Sequence, residues 1–523
     1  MHDDVNFGVI YNDDSGGAYD WIEGSVDALV ARTEANLVAS VNGLAGTPVG
    51  TLCYCVSRGG DIMHYPTRVA TPWGWRPLAD AGWSRRSAIA RTVLDAGLDP
   101  VRVVAEQARG VGLLFLPSFR VNDLHFTADP EGSFLTPRFW FEHQDLVVGT
   151  VPKSISSWYE QAPDFSHEIV RCYKLAVIDE ILDRYADTLD GLELDFLRHP
   201  VFFPDGAGPQ RGHLITELVR HVRRRLDAMA RTAARPHHLL VRVPTDLETC
   251  RNVGLEVDRW IIEGLIDVVI PATHYFTAYD MPITPLVDLA HDHDQLVFPS
   301  LYPRQVDAWP FADHGAACVP FSKHGPPITP RRMRGAAANY RAMGVDGFAL
   351  FNFHLDRSDR SDVLYRMIRD LATPSCLHRA DKVFAITKPG WLSDHPVSFR
   401  KRLPVKVVAG EAYVFELFVG EDFDDPVIGR TCRLRLGWRG LAPDAKIAVD
   451  LNGRPQAVEA STPVVCGQAM LERNELLADC FVPMMVAGTS LCVGVNAVTV
   501  RADRAATLTD VELLVAYAPL DFV

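Results

Sequence analysis

Two carboxylates stand two positions apart in the stretch DGLELDFLRHP, residues 190–200. Glu193 and Asp195 alternate there with three large apolar residues, which is the side-chain period of a β-strand. The apolar residues therefore point to one side of the strand and both carboxylates to the other. Carboxylates held in this way perform acid, base or nucleophile chemistry. The alternative is a structural pair neutralised by inward arginines.

Eight strand-then-helix units position these groups. Besides the strand that carries Asp195, short β-rich runs are predicted at 6–11, 51–57, 113–118, 238–243, 267–272, 295–300 and 347–354. Strands that alternate with helices predict a parallel sheet with helical crossovers. Eight such units predict an α/β fold of the (β/α)8 TIM-barrel type over residues 1–375, in preference to a doubly wound sheet. No G-x-G-x-x-G follows the first strand, so a dinucleotide site is unsupported.

In a TIM barrel the carboxyl ends of the strands build the active site. Asp195 is therefore expected at the barrel mouth, with Glu193 one layer deeper. Sugars bind through aromatic faces and polar groups, and a glycosidic bond is cleaved between two carboxyls. The strand ends and loops supply such groups, which predicts a carbohydrate substrate. The predicted substrate-binding residues are Asp13, Arg58, Trp75, Arg120, Asp123, Arg198, His199, Arg242, His274, Tyr275, Tyr302, Arg304, Asn352 and His354.

The predicted catalytic residues are Asp195, Glu193 and Asp246. Asp195 is expected to act as nucleophile or base, while Glu193 orients it or binds a ring hydroxyl. The partner acid is expected from another strand end, with Asp246 first, then Asp123 and Asp13. Residues two apart on a strand have Cα atoms roughly 6.6 Å apart. This separation lies between those of retaining and inverting carboxyl pairs, so the stereochemistry stays open.

The totals exclude several classes of protein. The chain has 523 residues and a formal net charge of −14, which argues against a nucleic-acid partner. No run approaches the ~20 apolar residues of a membrane span. The start, Met1 to Asp4, lacks a basic and apolar leader, so a cytoplasmic location is expected. Cys53 and Cys55 lie in an apolar run without zinc-site spacing and are expected to be buried thiols.

Residues 384–523 form a second predicted domain. Short alternating strands separated by turn signals favour an all-β sandwich or jelly roll. This accessory domain is expected to serve in packing or in a homo-oligomer, and carbohydrate binding is the alternative role.

Other chemistries have weaker support. A serine hydrolase of the α/β type requires a G-x-S-x-G elbow, which the first 375 residues lack. Two histidine-rich stretches, 237–238 and 291–294, are expected at the opposite end of the barrel. No metal and no cofactor are predicted, although a metal-dependent hydrolase or lyase using Asp13, Asp195 and His354 is a minor alternative. A carbohydrate-binding protein on a degenerate barrel is the other.

Two short motifs resemble those of the family-10-like glycoside hydrolases, which are TIM-barrel enzymes or enzyme-like proteins. Residues 190–195 look like the fourth-strand "DG-x-x-x-D" motif, and residues 260–271 are similar to the entry into strand six. The resemblance spans about residues 5–370 and implies a barrel in which Asp195 is the strand-four catalytic carboxylate. The chain departs from the related glycosidases because no Asn-Glu pair closes strand four and strand seven ends without a glutamate. The resemblance therefore does not supply the second carboxylate.

Overall fold

The computed structural model describes residues 5–15, 19, 25–76, 81–273, 276–303, 328–353, 355, 361–388, 402–424, 429–463 and 478–517. Residues 5–377 hold a parallel sheet wrapped in helices. The strands in chain order are β1 (Val9–Asp13), β2 (Val49–Cys55), β3 (Ser57–Arg58), β4 (Ile62–Met63), β5 (Thr71–Pro72), β6 (Leu114–Arg120), β7 (Gly191–Asp195), β8 (His238–Val243), β9 (Val268–Pro271), β10 (Leu296–Val297), β11 (Ser300–Leu301) and β12 (Ala349–Phe351).

The barrel sheet is closed by the segment that contains β10 and β11, which is the seventh of its eight strands. The hydrogen-bonded order is β10-β9-β8-β7-β6-β2-β1-β12-β11, and every neighbouring pair is parallel. The two ends of this order, β10 and β11, belong to one segment, 296–301, interrupted at Phe298 and Pro299. The first half bonds β9 and the second half bonds β12, so eight strand segments form a ring. The predicted (β/α)8 fold is confirmed.

Helices follow the barrel strands. They are α1 (Val26–Asn42), α2 (Ala81–Asp95), α3 (Pro100–Gly110), α4 (Arg138–Glu142), α5 (Glu168–Arg184), α6 (Gly208–Ala233), α7 (Leu247–Asn252), α8 (Val257–Ile262), α9 (Thr284–His291), α10 (Pro330–Ala342), α11 (Ser361–Ala372) and α12 (Pro374–Leu377). Among the described residues, no helix combines the length and apolar composition that a bilayer crossing requires.

Side-chain alternation divides the barrel into two cores. Leu192, Leu194 and Phe196 belong to the large outer core between sheet and helices. A smaller inner core fills the barrel with residues of opposite parity, among them Cys53 and Leu240. Burial of apolar surface on both faces of the sheet is the main stabilising term of such a barrel. Both Cys53 and Cys55 are buried and unpaired, as expected.

The C-terminal region is all β and antiparallel. Its strands are β13 (Lys382–Ala385), β14 (Val405–Val407), β15 (Ala412–Val419), β16 (Thr431–Arg439), β17 (Ile447–Leu451), β18 (Arg454–Gln456), β19 (Thr462–Pro463), β20 (Cys480–Val486), β21 (Gly494–Ala502) and β22 (Ala506–Ala516). One sheet has the order β13-β22-β16-β20-β19, with β14 also on β22, and the other has β15-β21-β17-β18. Their apolar faces share one core, which confirms the β-domain.

Helix α10 connects the barrel to this β-domain. A Cβ at Gly335 would lie 2.0 Å from the carbonyl oxygen of Val383 in β13, so the helix and strand touch through a glycine. Arg332 of the same helix donates to the buried carboxylate of Glu512 in β22. The Oδ1 atom of Asn339 accepts from the backbone N–H of Gly420 at 2.8 Å. The two regions are therefore joined by buried polar contacts.

Candidate active site

Asp190 and Gly191 fix the start of the strand that carries the two carboxylates. The Oδ2 atom of Asp190 accepts from the backbone N–H of Phe115 at 2.9 Å, and its Oδ1 accepts from Arg235. A Cβ at Gly191 would lie 2.1 Å from the carbonyl oxygen of His238 on the neighbouring strand. Only glycine permits this approach, so the first two residues of the "DG-x-x-x-D" motif are structural.

Asp195 points into the barrel, as its parity predicts, and lies between two arginines. In register, Arg120 and Arg242 are its partners on the strands at either side. The Nη1 atom of Arg242 lies 3.0 Å from Oδ1 and 3.2 Å from Oδ2 of Asp195. The backbone N–H groups of Leu197 and Arg198 also donate to Oδ1, at 2.9 and 3.0 Å. Asp195 is 0 % exposed, and Oδ2 is its less occupied oxygen.

Glu193 lies one layer deeper, in register with Ser118. The Nδ2 atom of Asn12 donates to Oε2 of Glu193 at 2.7 Å. Burial and then the charge of Asp195 raise the pKa of Glu193 to about 7, against hydrogen bonds from Ser118 and Asn12 and the charge of Arg242. The site thus holds a carboxyl with strongly raised proton affinity next to a carboxylate paired with a guanidinium.

A layer of ion pairs lies around the same strand ends. Asp14 accepts from Arg58 at 3.1 Å and also from Arg120. The second guanidinium nitrogen of Arg120 lies 3.1 Å from Oδ2 of Asp123. Arg120 and Asp123 are almost fully buried, whereas the side chains of Asp14 and Arg58 are 13 % and 16 % exposed. This layer therefore reaches the surface through Asp14 and Arg58.

Asp123, His125 and His199 bring three potential metal-ligand atoms within 4.8 Å of one another. Their hydrogen bonds argue for a different use. Arg198 can only donate, and its Nη2 lies 2.8 Å from Nε2 of His125, so a neutral His125 carries its proton on Nδ1 and donates it to Asp123. The backbone N–H of Leu124 donates to Nδ1 of His199 at 3.0 Å. The ring nitrogens of the two histidines therefore either accept a hydrogen bond already or carry a proton. The three side chains form a hydrogen-bonded network that does not favour a bound cation.

The charges of this network are set by burial and by its arginines. Although burial alone would raise it, His125 and Arg120 hold the pKa of Asp123 well below its usual range. Burial, and then the charge of Arg198, lower the pKa of His125 against the attraction of Asp123. Asp123 is therefore ionised and His125 is neutral at neutral pH.

The residues that follow β11 and β12 complete the described part of the barrel mouth. The Nδ2 atom of Asn352 lies 3.3 Å from Oη of Tyr302, and Asn352 adopts a left-handed conformation with φ of 54°. The guanidinium carbon of Arg242 lies 3.8 Å from the ring centroid of Phe351. Tyr302, Asn352 and Arg242 thus lie together. Four predicted residues lie outside the described residues: His274, Tyr275, Arg304 and His354.

Asp246, the expected partner acid, is engaged in local hydrogen bonds. It is the N-cap of α7, and its Oδ1 accepts from the backbone N–H of Thr249 at 2.8 Å. Its Oδ2 accepts from the hydroxyls of Thr249 and Thr245 at 2.7 and 3.2 Å. Both oxygens therefore serve the helix cap. The catalytic role expected for Asp246 stays a prediction, and the geometry gives it no support.

Asp13 and Trp75, both predicted to bind substrate, form hydrogen bonds with backbone groups of loops. Asp13 has the parity of Tyr11, which packs in the outer core, and its Oδ1 accepts from the backbone N–H of Ser15 at 2.7 Å. Trp75 donates from Nε1 to the carbonyl oxygen of Thr136 at 3.2 Å. This bond ties the loop after β2 to the long connection after β6.

The same connection, residues 121–165, contacts the loop that follows Asp195. The ring of Tyr159 lies 5.7 Å from that of His199, and the backbone oxygen of Val201 accepts from Asn122. His199 is thus enclosed by aromatic groups, while its Nδ1 lies 3.6 Å from Asp123.

Sequence reasoning missed Asn12, Ser118 and Asp14 as members of the site. The parity argument that selected Glu193 would have found Asn12, had the first strand been extended to its observed end at Asp13. Ser118 lies at the predicted end of the third strand, and its inward parity was the available signal. No comparable signal distinguishes Asp14 from Asp13, because Asp14 follows the strand and its direction depends on the loop.

Comparison of the sequence with protein-family profiles and with curated proteins finds no match. Comparison with solved structures finds matches that include chitinases and fucosidases. The chitinase ChiW from Paenibacillus sp. str. FPU-7 is 13 % identical over 96 % of this chain and 52 % of its own, with a TM-score of 0.38. This chain thus spans about half the length of that chitinase.

Two further neighbours have comparable scores. A bacterial fucosidase is 9 % identical over 95 % of this chain and 92 % of its own, with a TM-score of 0.35. A class V chitinase from Pseudomonas fluorescens Pf-5 is 10 % identical over 66 % of this chain and 94 % of its own, also with a TM-score of 0.35. Identities and scores this low do not assign an activity, which must be argued from the site itself.

Proposed function

We propose that the protein is a glycoside hydrolase that acts at the carboxyl end of its barrel, with Asp195 as nucleophile or base. The observation that carries the proposal is the inward pair on β7. Asp195 is paired with Arg242, whereas the pKa of Glu193 is raised to about 7. A carboxyl with a raised pKa, next to a carboxyl held by a guanidinium, offers an acid and a base within one site.

The surroundings of the pair suit a polyhydroxylated ligand. Three inner or mouth-side polar atoms are buried without a hydrogen-bond partner among the described residues, namely Oδ1 of Asn12, Oγ of Ser300 and Oδ1 of Asn352. Buried polar atoms are normally satisfied by protein, water or ligand. Together with the nearby Tyr302 and Phe351 rings, such atoms match the hydroxyls and C–H faces of a sugar. The two motifs that resemble the family-10-like glycoside hydrolases agree with this proposal.

A specific observation favours a second function, carbohydrate binding without cleavage. Asp195 is fully buried, and its Oδ1 accepts from Leu197, Arg198 and Arg242. Asp246 is occupied by a helix cap. A barrel that keeps its carboxylates for structure and still binds sugar would show these contacts.

The deciding experiment measures the release of reducing ends from a panel of α- and β-linked oligosaccharides by the full-length protein. We expect cleavage of at least one glycoside and a loss of about 10²–10⁴-fold in Asp195→Asn. Glu217→Gln, at an exposed position of α6, serves as the control and should retain turnover. Circular dichroism and melting temperature establish that both variants are folded.

Two results would contradict the proposal. Sugar binding by calorimetry without cleavage of any glycoside would establish the binding protein instead. Full turnover by a folded Asp195→Asn protein would remove Asp195 from the reaction.

A further inference from the structure

The loop after β9 is held in place by side chains from two other parts of the chain. Residues 276–283 lie between β9 and α9, at the carboxyl end of the barrel. Within this loop, Ala278, Tyr279 and Met281 are almost fully buried. The backbone N–H and C=O groups of a buried loop need hydrogen-bond partners in the rest of the protein. These partners therefore decide where the loop lies.

Helix α10 provides the first partners. The Oη atom of Tyr340 donates to the carbonyl oxygen of Ala278 at 2.7 Å. The Nδ2 atom of Asn339 donates to the carbonyl oxygen of Tyr279 at 2.9 Å. The Oδ1 atom of the same asparagine accepts from Gly420 of the β-domain, so one amide group joins the β-domain to the loop.

Thr387 of the β-domain provides the other partner. The backbone N–H of Tyr279 donates to Oγ1 of Thr387 at 2.8 Å, and the N–H of Thr387 donates to Oδ1 of Asp280 at 3.2 Å. Thr387 follows β13, and the preceding Ile386 donates from its N–H to the carbonyl oxygen of Val511 in β22 at 3.1 Å. The position of the Thr387 hydroxyl is therefore set by the sheet of the β-domain.

The same loop holds the backbone of Tyr302 at the barrel mouth. The Oγ1 atom of Thr277 donates to the carbonyl oxygen of Tyr302 at 2.7 Å and accepts from its N–H, also at 2.7 Å. Thr277 is two residues from Tyr279, so a shift of one displaces the other. The hydroxyl of Tyr302 lies 3.3 Å from Nδ2 of Asn352. A path of hydrogen bonds thus leads from Thr387 to a side chain expected to bind substrate.

We propose that Thr387 is a positioning residue for Tyr302 and that the β-domain thereby completes the sugar-binding mouth of the barrel. Its hydroxyl fixes Tyr279, and Thr277 carries this constraint to the backbone of Tyr302. A group that is misplaced by about 1 Å loses much of its interaction with a ligand. The inference rests on the proposed function in naming a sugar as the ligand, but it does not require that a bond be cleaved.

Hydrogen exchange of the full-length protein, followed by mass spectrometry, tests the positioning without any assay of turnover. Thr387→Val removes the acceptor of the Tyr279 N–H, so amide exchange in peptides that contain 276–283 or Tyr302 should accelerate by about 10-fold. Exchange in β7 should keep its native rate. Thr387→Ser keeps the hydroxyl and should restore the native rates throughout.

Thr431→Val, at the start of β16, is the matched control for this substitution. Among the described residues, the Thr431 hydroxyl has no hydrogen-bond partner, so its removal should leave exchange in the 276–283 loop unchanged. Circular dichroism and melting temperatures show that each variant is folded. Thr387→Ala removes the same acceptor and keeps the test decisive if the valine variant unfolds.

Sugar binding and turnover distinguish positioning from a purely structural role. The probe is the oligosaccharide of the panel above that the native protein cleaves fastest or, without cleavage, the one that it binds most tightly in calorimetry. In Thr387→Val, KM or Kd should rise by about 10-fold while kcat stays within about 3-fold, because Asp195 and Glu193 keep their contacts. Thr387→Ser should restore the native KM or Kd.

Several results would overturn the inference. They are native exchange at Tyr302 in a folded Thr387→Val protein, equally accelerated exchange in β7, an unchanged KM and Kd, no rescue by serine, or binding of no sugar in the panel. A protein that shows the expected exchange and sugar binding but cleaves no glycoside would support the inference and contradict the proposed hydrolase. Turnover with a native KM in Thr387→Val would do the reverse.

Discussion

The Nη1 atom of Arg242 lies 3.0 Å from Oδ1 and 3.2 Å from Oδ2 of Asp195, with both side chains inside the barrel. Arg242 of β8 thus neutralises the carboxylate of Asp195 in the neighbouring strand β7. The ring of Phe351 in β12 covers this guanidinium, and its centroid lies 3.8 Å from the guanidinium carbon. Three strands therefore hold one carboxylate in place, and removal of the arginine would leave a buried charge uncompensated.

We accordingly expect Arg242→Met to lower the free energy of unfolding by about 3–5 kcal/mol at pH 7. The measurement is denaturation by urea, followed by circular dichroism. Arg251→Met is the control, since it breaks an ion pair whose arginine side chain is 53 % exposed and should cost at most about 1 kcal/mol. Equal effects of the two substitutions would show that the Asp195 pair contributes no more than a surface pair.

Glu193 predicts a pH dependence of stability with a definite sign. Its pKa rises from an ordinary value of 4.5 to about 7 in the folded protein, so the folded state binds the proton more tightly. The resulting stabilisation is complete below about pH 4.5 and is lost as the pH rises through 7. Glu193→Gln cannot titrate, so its unfolding free energy relative to the native protein should rise by about 3 kcal/mol between pH 4.5 and 8.

Urea denaturation of both proteins at intervals of half a pH unit measures this difference. Glu217→Gln, on the exposed face of α6, should follow the native profile throughout. Parallel profiles for Glu193→Gln and the native protein would show that Glu193 is ionised without cost in the folded state.

Two substitutions separate the capping role of Asp246 from a catalytic one. Asp246→Ala should lower the free energy of unfolding by about 0.5–2 kcal/mol, because the first turn of α7 loses its side-chain acceptor. Asp246→Ser keeps an N-cap oxygen and should retain both stability and turnover. Thermal unfolding and the reducing-end assay measure the two effects. A stable Asp246→Ser protein without turnover would instead restore Asp246 as the acid.

Gly191→Ala should destabilise the barrel by about 1–3 kcal/mol or more, because the new Cβ would meet the carbonyl oxygen of His238 at 2.1 Å. The strand must shift to relieve the overlap, and Asp195 at its other end should shift with it. Gly110→Ala at the end of α3 is the matched control, since a Cβ there meets nothing within 4 Å. If the two alanine variants melted at the same temperature, the close approach at Gly191 would be refuted.

The sequence by itself determined the order of eight strands and the side to which Glu193 and Asp195 point. Both depend on a period of two within a few residues, which any chain segment expresses locally. Strand β8 even begins and ends where the pattern predicts, at residues 238 and 243. The break between β10 and β11 and the end of β1 at Asp13 were not predicted. Both depend on which residues of an extended segment form hydrogen bonds with the neighbouring strands.

Only the tertiary structure decided which polar groups meet. Asn12 bonds Glu193 across 181 positions of sequence, and Arg242 bonds Asp195 across 47. It also decided that Asp246 caps a helix and that Asp14, rather than Asp13, bonds Arg120. Such partners depend on strand register and loop direction, which arise from packing of the whole barrel. A local pattern can place a carboxylate on a face, but the charge beside it comes from a distant part of the chain.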